Sequence, residues 1–307
     1  MACHAEHEYL LDVALAHLPE EVRACVDEGT AHELCVLPDR VGEWPWHKPP
    51  LSLWVLELGG GEVRRAMEAG DRAGAGYTLS LLHHYAVDTL AVSHAWLDFL
   101  GEMEDFESIE VLAEDYHDPV ENCIVGALEG LSVPDTARTG RLREQWPRSV
   151  RRCYAIGAAI HEAFLGGEDV LELCLEGVRN TAECMPALVA ALLNGDVGLA
   201  GKEQVRLAGE LWPLADLLTW SGERIAAEAT SDQAVARWQA RRGYADADIF
   251  FAPESCGPAA LKVREHYLAG RRQWREEILP QTYGVTLPPR RRIGRRDEDG
   301  SGAEPGV

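Results

Sequence analysis

The chain has 307 residues, enough to bury a substantial core as one large domain or two ordinary ones. It carries 29 Lys and Arg against 51 Asp and Glu, a formal charge of -22. That argues against a non-specific duplex nucleic-acid binder, whose affinity rests on neutralising phosphates with Lys and Arg. No apolar run is long enough to cross a bilayer and no basic-then-apolar leader opens the chain, so the expected localisation is cytoplasmic, with no transmembrane segment. The eight cysteines include no C-x2-C pair. Scattered thiols of a reducing compartment are the expectation, with a Cys174–Cys184 disulfide as the alternative.

Taken in order, Met1 to Val26 begins with His4 and His7. Leu10, Val13, Ala14 and Leu18 then predict an amphipathic helix that stops at Pro19. Pro19 to Asp27 starts a second helix. Pro38, Asp39, Gly42, Pro45, Pro49 and Pro50 predict a long loop over Gly29 to Pro50, with Trp44 and Trp46 inside it and Asp39 and His47 framing it. Leu51 to Gly59 reads as a short helix or a buried extended segment, and Glu62 to Ala69 as a peripheral helix.

Tyr77 to Leu90 is a helix with Leu79, Leu82, Ala86 and Leu90 as its apolar stripe. On it His84 and Asp88 are four residues apart, one turn along the same face. His94 follows beyond the helix end. Leu97 to Asp115 is strongly acidic and reads as a solvated face. His117 and Glu121 then repeat the H-x3-[D/E] spacing, with Asp118 as N-cap and Pro119 in the first turn of a helix to Leu131.

Arg141, Arg143, Arg148, Arg151 and Arg152 form a basic helical face, expected to pair with surface acids. Helices are predicted over Val150 to Leu165, Val170 to Val178, Met185 to Leu193, Gln204 to Trp220, Glu223 to Gly243 and Ala259 to Leu279. His161 beside Glu162 reads as a packing or surface histidine, because adjacent helical residues point apart. Residues 289–307 carry Arg290, Arg291, Arg292, Arg295 and Arg296 and then an acidic, glycine-rich end, and are expected to be disordered. Helices with no convincing sheet give an all-α fold, a single multi-helix domain over residues 1–288 with a metal cleft between helices.

A lone H-x3-D pair is usually a surface contact. Here His84, Asp88, His94, His117 and Glu121 crowd one short window of a chain with only eleven histidines. Imidazole nitrogens and carboxylate oxygens are the donors that a divalent cation such as zinc takes.

The ordered set His7, Asp39, His47, His84-x3-Asp88-x5-His94 and His117-x3-Glu121 resembles the zinc-dependent phospholipase C/P1 nuclease family, over roughly Met1 to Gly130. The resemblance implies a helical fold with up to three zinc ions in a cleft. Asp39, His47, His84 and Asp88 look like the ligands of one zinc, and His94, His117 and Glu121 like those of a second. His7 and Asp88 would hold a third, with Asp88 shared. In that family the third ion is also held by an N-terminal tryptophan, and this chain has none before Trp44. The amine of Ala2, if Met1 is removed, or the side chain of His4, if it is kept, stands in that place.

The resemblance further implies hydrolysis of phosphoester bonds in a small phosphorylated molecule or a phospholipid, by a water that neighbouring cations activate. Asp39 and Asp88 are then the catalytic carboxylates, with Asp39 orienting that water. Trp44 and Trp46 either contact the substrate or pack the loop down. Two other readings use the same donors: an iron-dependent oxidoreductase, and a non-catalytic helical scaffold around a structural metal. Manganese, like iron, suits the ligand types.

Overall fold

The computed structural model describes residues 4–41, 44–100, 118–128, 131, 141–212, 249 and 253–289. Among them the structure is helical, with no strand. The helices are α1 (His4–Ala16), α2 (Glu20–Arg23), α3 (Glu28–Leu34), α4 (Leu37–Val41), α5 (Trp44–His47), α6 (Leu51–Glu68) and α7 (Arg72–Leu90). They continue as α8 (Val92–Leu100), α9 (Asp118–Leu128), α10 (Leu142–Leu165), α11 (Leu171–Asn194), α12 (Lys202–Leu211) and α13 (Pro258–Gln273). A π-helical stretch, Trp274–Tyr283, extends α13.

The molecule is built around α7. Asp71 caps it by accepting a hydrogen bond from Gly74 N at 2.9 Å, and every residue from Gly74 to Leu90 is buried. A helix buried on all sides belongs at the centre of a bundle, and α1, α3, α6 and α8 pack around it. Its Ser and Thr hydroxyls satisfy themselves along the backbone: Thr78 donates to Gly74 O at 2.9 Å, Ser80 to Tyr77 O at 2.9 Å and Thr89 to Tyr85 O at 2.8 Å. His83, His84 and Asp88 have no such recourse. Apart from the His84–Asp88 contact, their partners come from other segments of the chain.

α6 runs antiparallel to α7, which pairs Ser52 with Thr89 at 2.7 Å and puts Gly59 opposite Leu82. This corrects the sequence reading of that region. Leu51–Glu68 is one continuous helix, not two pieces broken by Gly59, Gly60 and Gly61. The glycines are there for close approach: a Cβ at Gly59 would run into the Leu82 side chain, and one at Gly60 would lie 2.8 Å from Val197.

The loop expected over Gly29 to Pro50 is a second correction, since α3, α4 and α5 occupy most of it. Asp27 accepts from Thr30 N at 2.8 Å and starts α3. Pro38 and Pro45 sit in the first turns of α4 and α5, where a missing N–H costs nothing.

α10 and α11 form a long antiparallel pair across α7 and α8. The segments predicted separately over Val170 to Val178 and Met185 to Leu193 are joined in α11, which runs through Pro186. Two of the five arginines of the basic face pair with acids as expected: Arg143 with Asp196 at 3.0 Å, Arg152 with Glu176 at 3.3 Å and with Glu183 at 3.5 Å. Exposed pairs of this kind contribute about 0–1 kcal/mol each. The described cysteines are thiols, Cys174 and Cys184 included, and both of these lie on α11. The helix expected over Ala259 to Leu279 runs on through Pro280 to Tyr283 as a π-helix. Most of the acidic run, His117, the segment predicted over Glu223 to Gly243 and residues 290–307 lie outside the described residues. No described helix is long and apolar enough to cross a membrane.

Candidate metal centre

The last two turns of α7 form one wall of the centre. His84 and Asp88, one turn apart, are 0 % and 1 % exposed. α4 brings Asp39 against them, α5 brings His47, and α1 brings His7. Asp88 Oδ2 lies 3.0 Å from His47 Nδ1 and 3.3 Å from His84 Nε2. Asp39 Oδ1 lies 3.4 Å from His84 Nε2 and 3.6 Å from His47 Nδ1. The donor atoms of these four residues all fall within 4.8 Å of one another.

These separations are informative. Four donors held about 2.0–2.1 Å from one ion in a tetrahedron stand about 3.3–3.4 Å apart. Direct hydrogen bonds between the same groups would close to about 2.7–3.2 Å, which the Asp88–His47 contact reaches and the other three do not. Asp39 Oδ2, His84 Nε2 and Asp88 Oδ2 are buried without a hydrogen-bond partner among the described residues. The donor set therefore fits a cation, and zinc suits its mixture of imidazole and carboxylate.

The surrounding backbone fixes which atoms face inward. His84 Nδ1 lies 2.8 Å from the Cys35 carbonyl, which can only accept, so Nδ1–H donates and Nε2 is left for the carboxylates. His94 Nδ1–H likewise donates to Asp88 O at 3.0 Å. That carbonyl is one of those left open at the end of α7, so the x5 spacing between Asp88 and His94 serves as a helix cap. Leu90 O is met by Cys153 Sγ and Thr181 Oγ1, both at 3.1 Å. Two of the carbonyls at the end of α7 are thus satisfied by groups from α8, α10 and α11.

Asp88 faces two ways. Its Oδ1 lies 3.4 Å from His7 Nε2, while its Oδ2 serves His47 and His84. The His7 ring stacks on that of His84, with centroids 4.0 Å apart. A carboxylate divided in this manner can be shared by two neighbouring cations.

Burial works to neutralise Asp88, but the imidazoles of His84, His94 and His47 outweigh it and hold the carboxyl well below its usual range. Burial is likewise outweighed at Asp39, by His84 and His47. For His84 burial disfavours the charged ring, yet Asp39 and Asp88 together push it up to about 10. Burial and the nearby His84 lower His7. With no cation bound, a proton on His84 supplies the counter-charge that two buried carboxylates require.

His94 and Glu121, assigned by resemblance to a separate ion, are 5 % and 4 % exposed, and Ser93 donates to Glu121 Oε1 at 3.4 Å. His117 and Ala2 lie outside the described residues. His4 is exposed at the start of α1. His161 stacks loosely on Phe99, with centroids 6.2 Å apart, consistent with a packing role. Trp46 is 1 % exposed and packs into the core, so it offers no substrate surface; the Trp44 side chain is not described.

Several contributors carried no signal in the sequence. Tyr85 meets His47 edge-on at 5.5 Å and Trp212 at 5.7 Å, closing the apolar side of the centre. His83, pressed down to about 3 by burial and by His7, reaches the His7 carbonyl at 3.1 Å and ties α1 to α7. The Cys35 carbonyl is invisible to any motif. Only Tyr85, lodged between ligands on the central helix, lay where a sequence reading could have looked.

No protein-family model, curated protein or solved structure matches the chain.

Proposed function

We propose that the chain is a metal-dependent hydrolase of phosphoester bonds, of the phospholipase C/P1 nuclease type, working with two or three zinc ions. The observation that supports this best is the position of Asp88, with one oxygen toward His7 and the other toward His47 and His84. When bound, zinc lowers the pKa of a coordinated water and draws charge from a phosphoryl oxygen.

The chain's own groups do the rest. Asp39, His47, His84 and Asp88 hold one ion, Asp88 and His7 a second, and His94 and Glu121, with His117, the remaining one. Asp39 is the most accessible of the inner four, its side chain 12 % exposed, and in this reading its carboxylate orients the attacking water. Tyr85 and Trp212 exclude solvent behind His47. With a charge of -22 on the chain, small phosphomonoesters, phosphodiesters or phospholipid head groups suit the site better than nucleic-acid strands, whose backbones need a basic groove.

The test is metal analysis of chain purified without added metal or chelator, followed by a panel of phosphomonoesters, phosphodiesters and phospholipids. Zinc bound at more than one per chain, with turnover abolished by a chelator and restored by zinc, is expected. A folded, fully loaded protein inert across the panel would refute the activity, and iron near stoichiometry with oxygen consumption would move the centre to oxidoreductase chemistry.

A further inference from the structure

The C-terminal helix makes one set of buried polar contacts that its packing does not require. Arg271, at the end of α13, donates from Nη1 to Pro49 O at 2.7 Å and from Nη2 to the Asp98 carboxylate. Arg275, one turn on, donates to Asp98 O at 2.6 Å. Tyr154 on α10 donates its hydroxyl to Asp98 Oδ2 and accepts from Trp274 Nε1 at 2.8 Å. Both guanidinium groups are buried, at 5 % and 7 % exposure.

The two ends of the Arg271 contact matter because of what they adjoin. Pro49 is two residues beyond His47, a donor of the inner set. Asp98 is one helical turn beyond His94 on α8, so it shares a face with that histidine. A single planar fork therefore spans two ligand-bearing segments that are distant in sequence. Close approach is built in: at the adjacent Gly270 a Cβ would lie 3.0 Å from Leu51 and 3.2 Å from Pro50. Buried ion pairs contribute little net stability against apolar replacements, and their best-attested use is to fix one geometry. A guanidinium offers directed donors in a rigid planar fork, which a lysine ammonium does not.

We propose that Arg271 is a positioning residue of the metal centre, holding the His47 and His94 segments in register from the far end of the chain. The inference rests on the metal-centre reading above, and it gives the helices beyond the motif-bearing half a task at the site.

The test compares the full-length chain with Arg271→Gln, Arg271→Lys and Val263→Ala, the last removing buried apolar bulk from the same helix. Each is titrated with Co²⁺ against a competing chelator, the visible spectrum of the cobalt form is recorded, and thermal melting is followed in parallel. Loss of an outer contact typically weakens metal binding about 10–100-fold, and Arg271→Gln is expected to fall in that range with an altered cobalt spectrum. Arg271→Lys, one point charge instead of a fork, restores the melting temperature through Asp98 while affinity stays below that of the native chain. If the Gln variant does not fold, the Lys variant carries the test alone. Val263→Ala melts lower but keeps native affinity and spectrum. Native affinity and spectrum in both arginine variants would overturn the proposal, as would Val263→Ala weakening cobalt as much as they do. A native chain that takes up no cobalt would instead overturn the metal-centre reading itself, and this inference with it.

Discussion

Replacing Asp88 by Asn removes one charge and almost no volume, so it isolates the electrostatic part of the centre. Both carboxylate oxygens are in use, at 3.0 to 3.4 Å from His47, His84 and His7. Structural zinc in small domains binds with about 10–16 kcal/mol, and divided among four donors this is about 2.5–4 kcal/mol for each. At about 1.4 kcal/mol per tenfold, the variant should bind its metal about 10²–10³-fold more weakly. The loss should also reach stability. Metal at a hundredfold excess over its dissociation constant stabilises the folded state by about 2.7 kcal/mol. For a chain of this size, with an unfolding entropy of about 2.1 cal/mol/K per residue, that corresponds to roughly 4 °C in melting temperature. The assay is a chelator competition on the native and Asn chains, with melting curves recorded with and without zinc. The native chain should show the zinc-dependent rise and the variant should lose most of it at the same zinc concentration. An Asn variant with native affinity and an unchanged rise would refute the reasoning, because no other described carboxylate faces all three imidazoles.

Glu121→Gln should lower bound zinc by one ion per chain while the inner donors keep theirs; equal metal content by mass spectrometry would count against a separate ion at His94 and Glu121. His161→Ala should leave metal content and turnover nearly intact, and a loss of either would mean the centre extends further than its geometry suggests. Gly59→Ala should destabilise the chain by about 1–3 kcal/mol in denaturant melts through overpacking against Leu82, and a neutral result would argue against the tight α6–α7 contact. The pH response follows from His84, whose ring burial disfavours but Asp39 and Asp88 raise to about 10. In the metal-free chain that stabilisation is complete below the ordinary histidine value and is lost as pH climbs through 10. A cation must displace the same proton, so metal affinity should rise by up to about tenfold per unit between about pH 7 and 9, and a flat profile would refute the assignment.

How much of this was legible in the sequence differs by kind of interaction. The spacing of His84 and Asp88 was readable because a helix converts a four-residue interval into one face, and α7 is a helix that buries that face. The convergence of Asp39 and His47 on the same point was not readable from spacing, since it depends on how α4 and α5 fold back. It entered only through the order of residues along the chain. The prolines of that region read as loop markers, although two of them stand in the first turns of short helices. The three glycines after Leu58 read as a break, although the helix runs through them and needs Gly59 for contact with α7 and Gly60 for contact with Val197. In both places the local signal was ambiguous and tertiary packing decided it.

The contacts between the centre and the backbone were further out of reach. A carbonyl such as that of Cys35 has no identity in a sequence, and Arg271 is one arginine among many until Pro49 and Asp98 are brought beside it. The same fact bears on how fold and site depend on each other. α4 and α5 contain five and four residues, far below the length at which an isolated helix persists in water. Nothing in their own hydrogen bonds holds them. They are held by the burial of Leu37 and Trp46 in the core, by the approach of Asp39 and His47 to the end of α7, and by the Arg271 hydrogen bond to Pro49 O. The buried carboxylates that make the centre costly to assemble without a counter-charge are thus also the anchors of the segment that closes over it. A cation held there would act as a cross-link between the N-terminal helices and the central one.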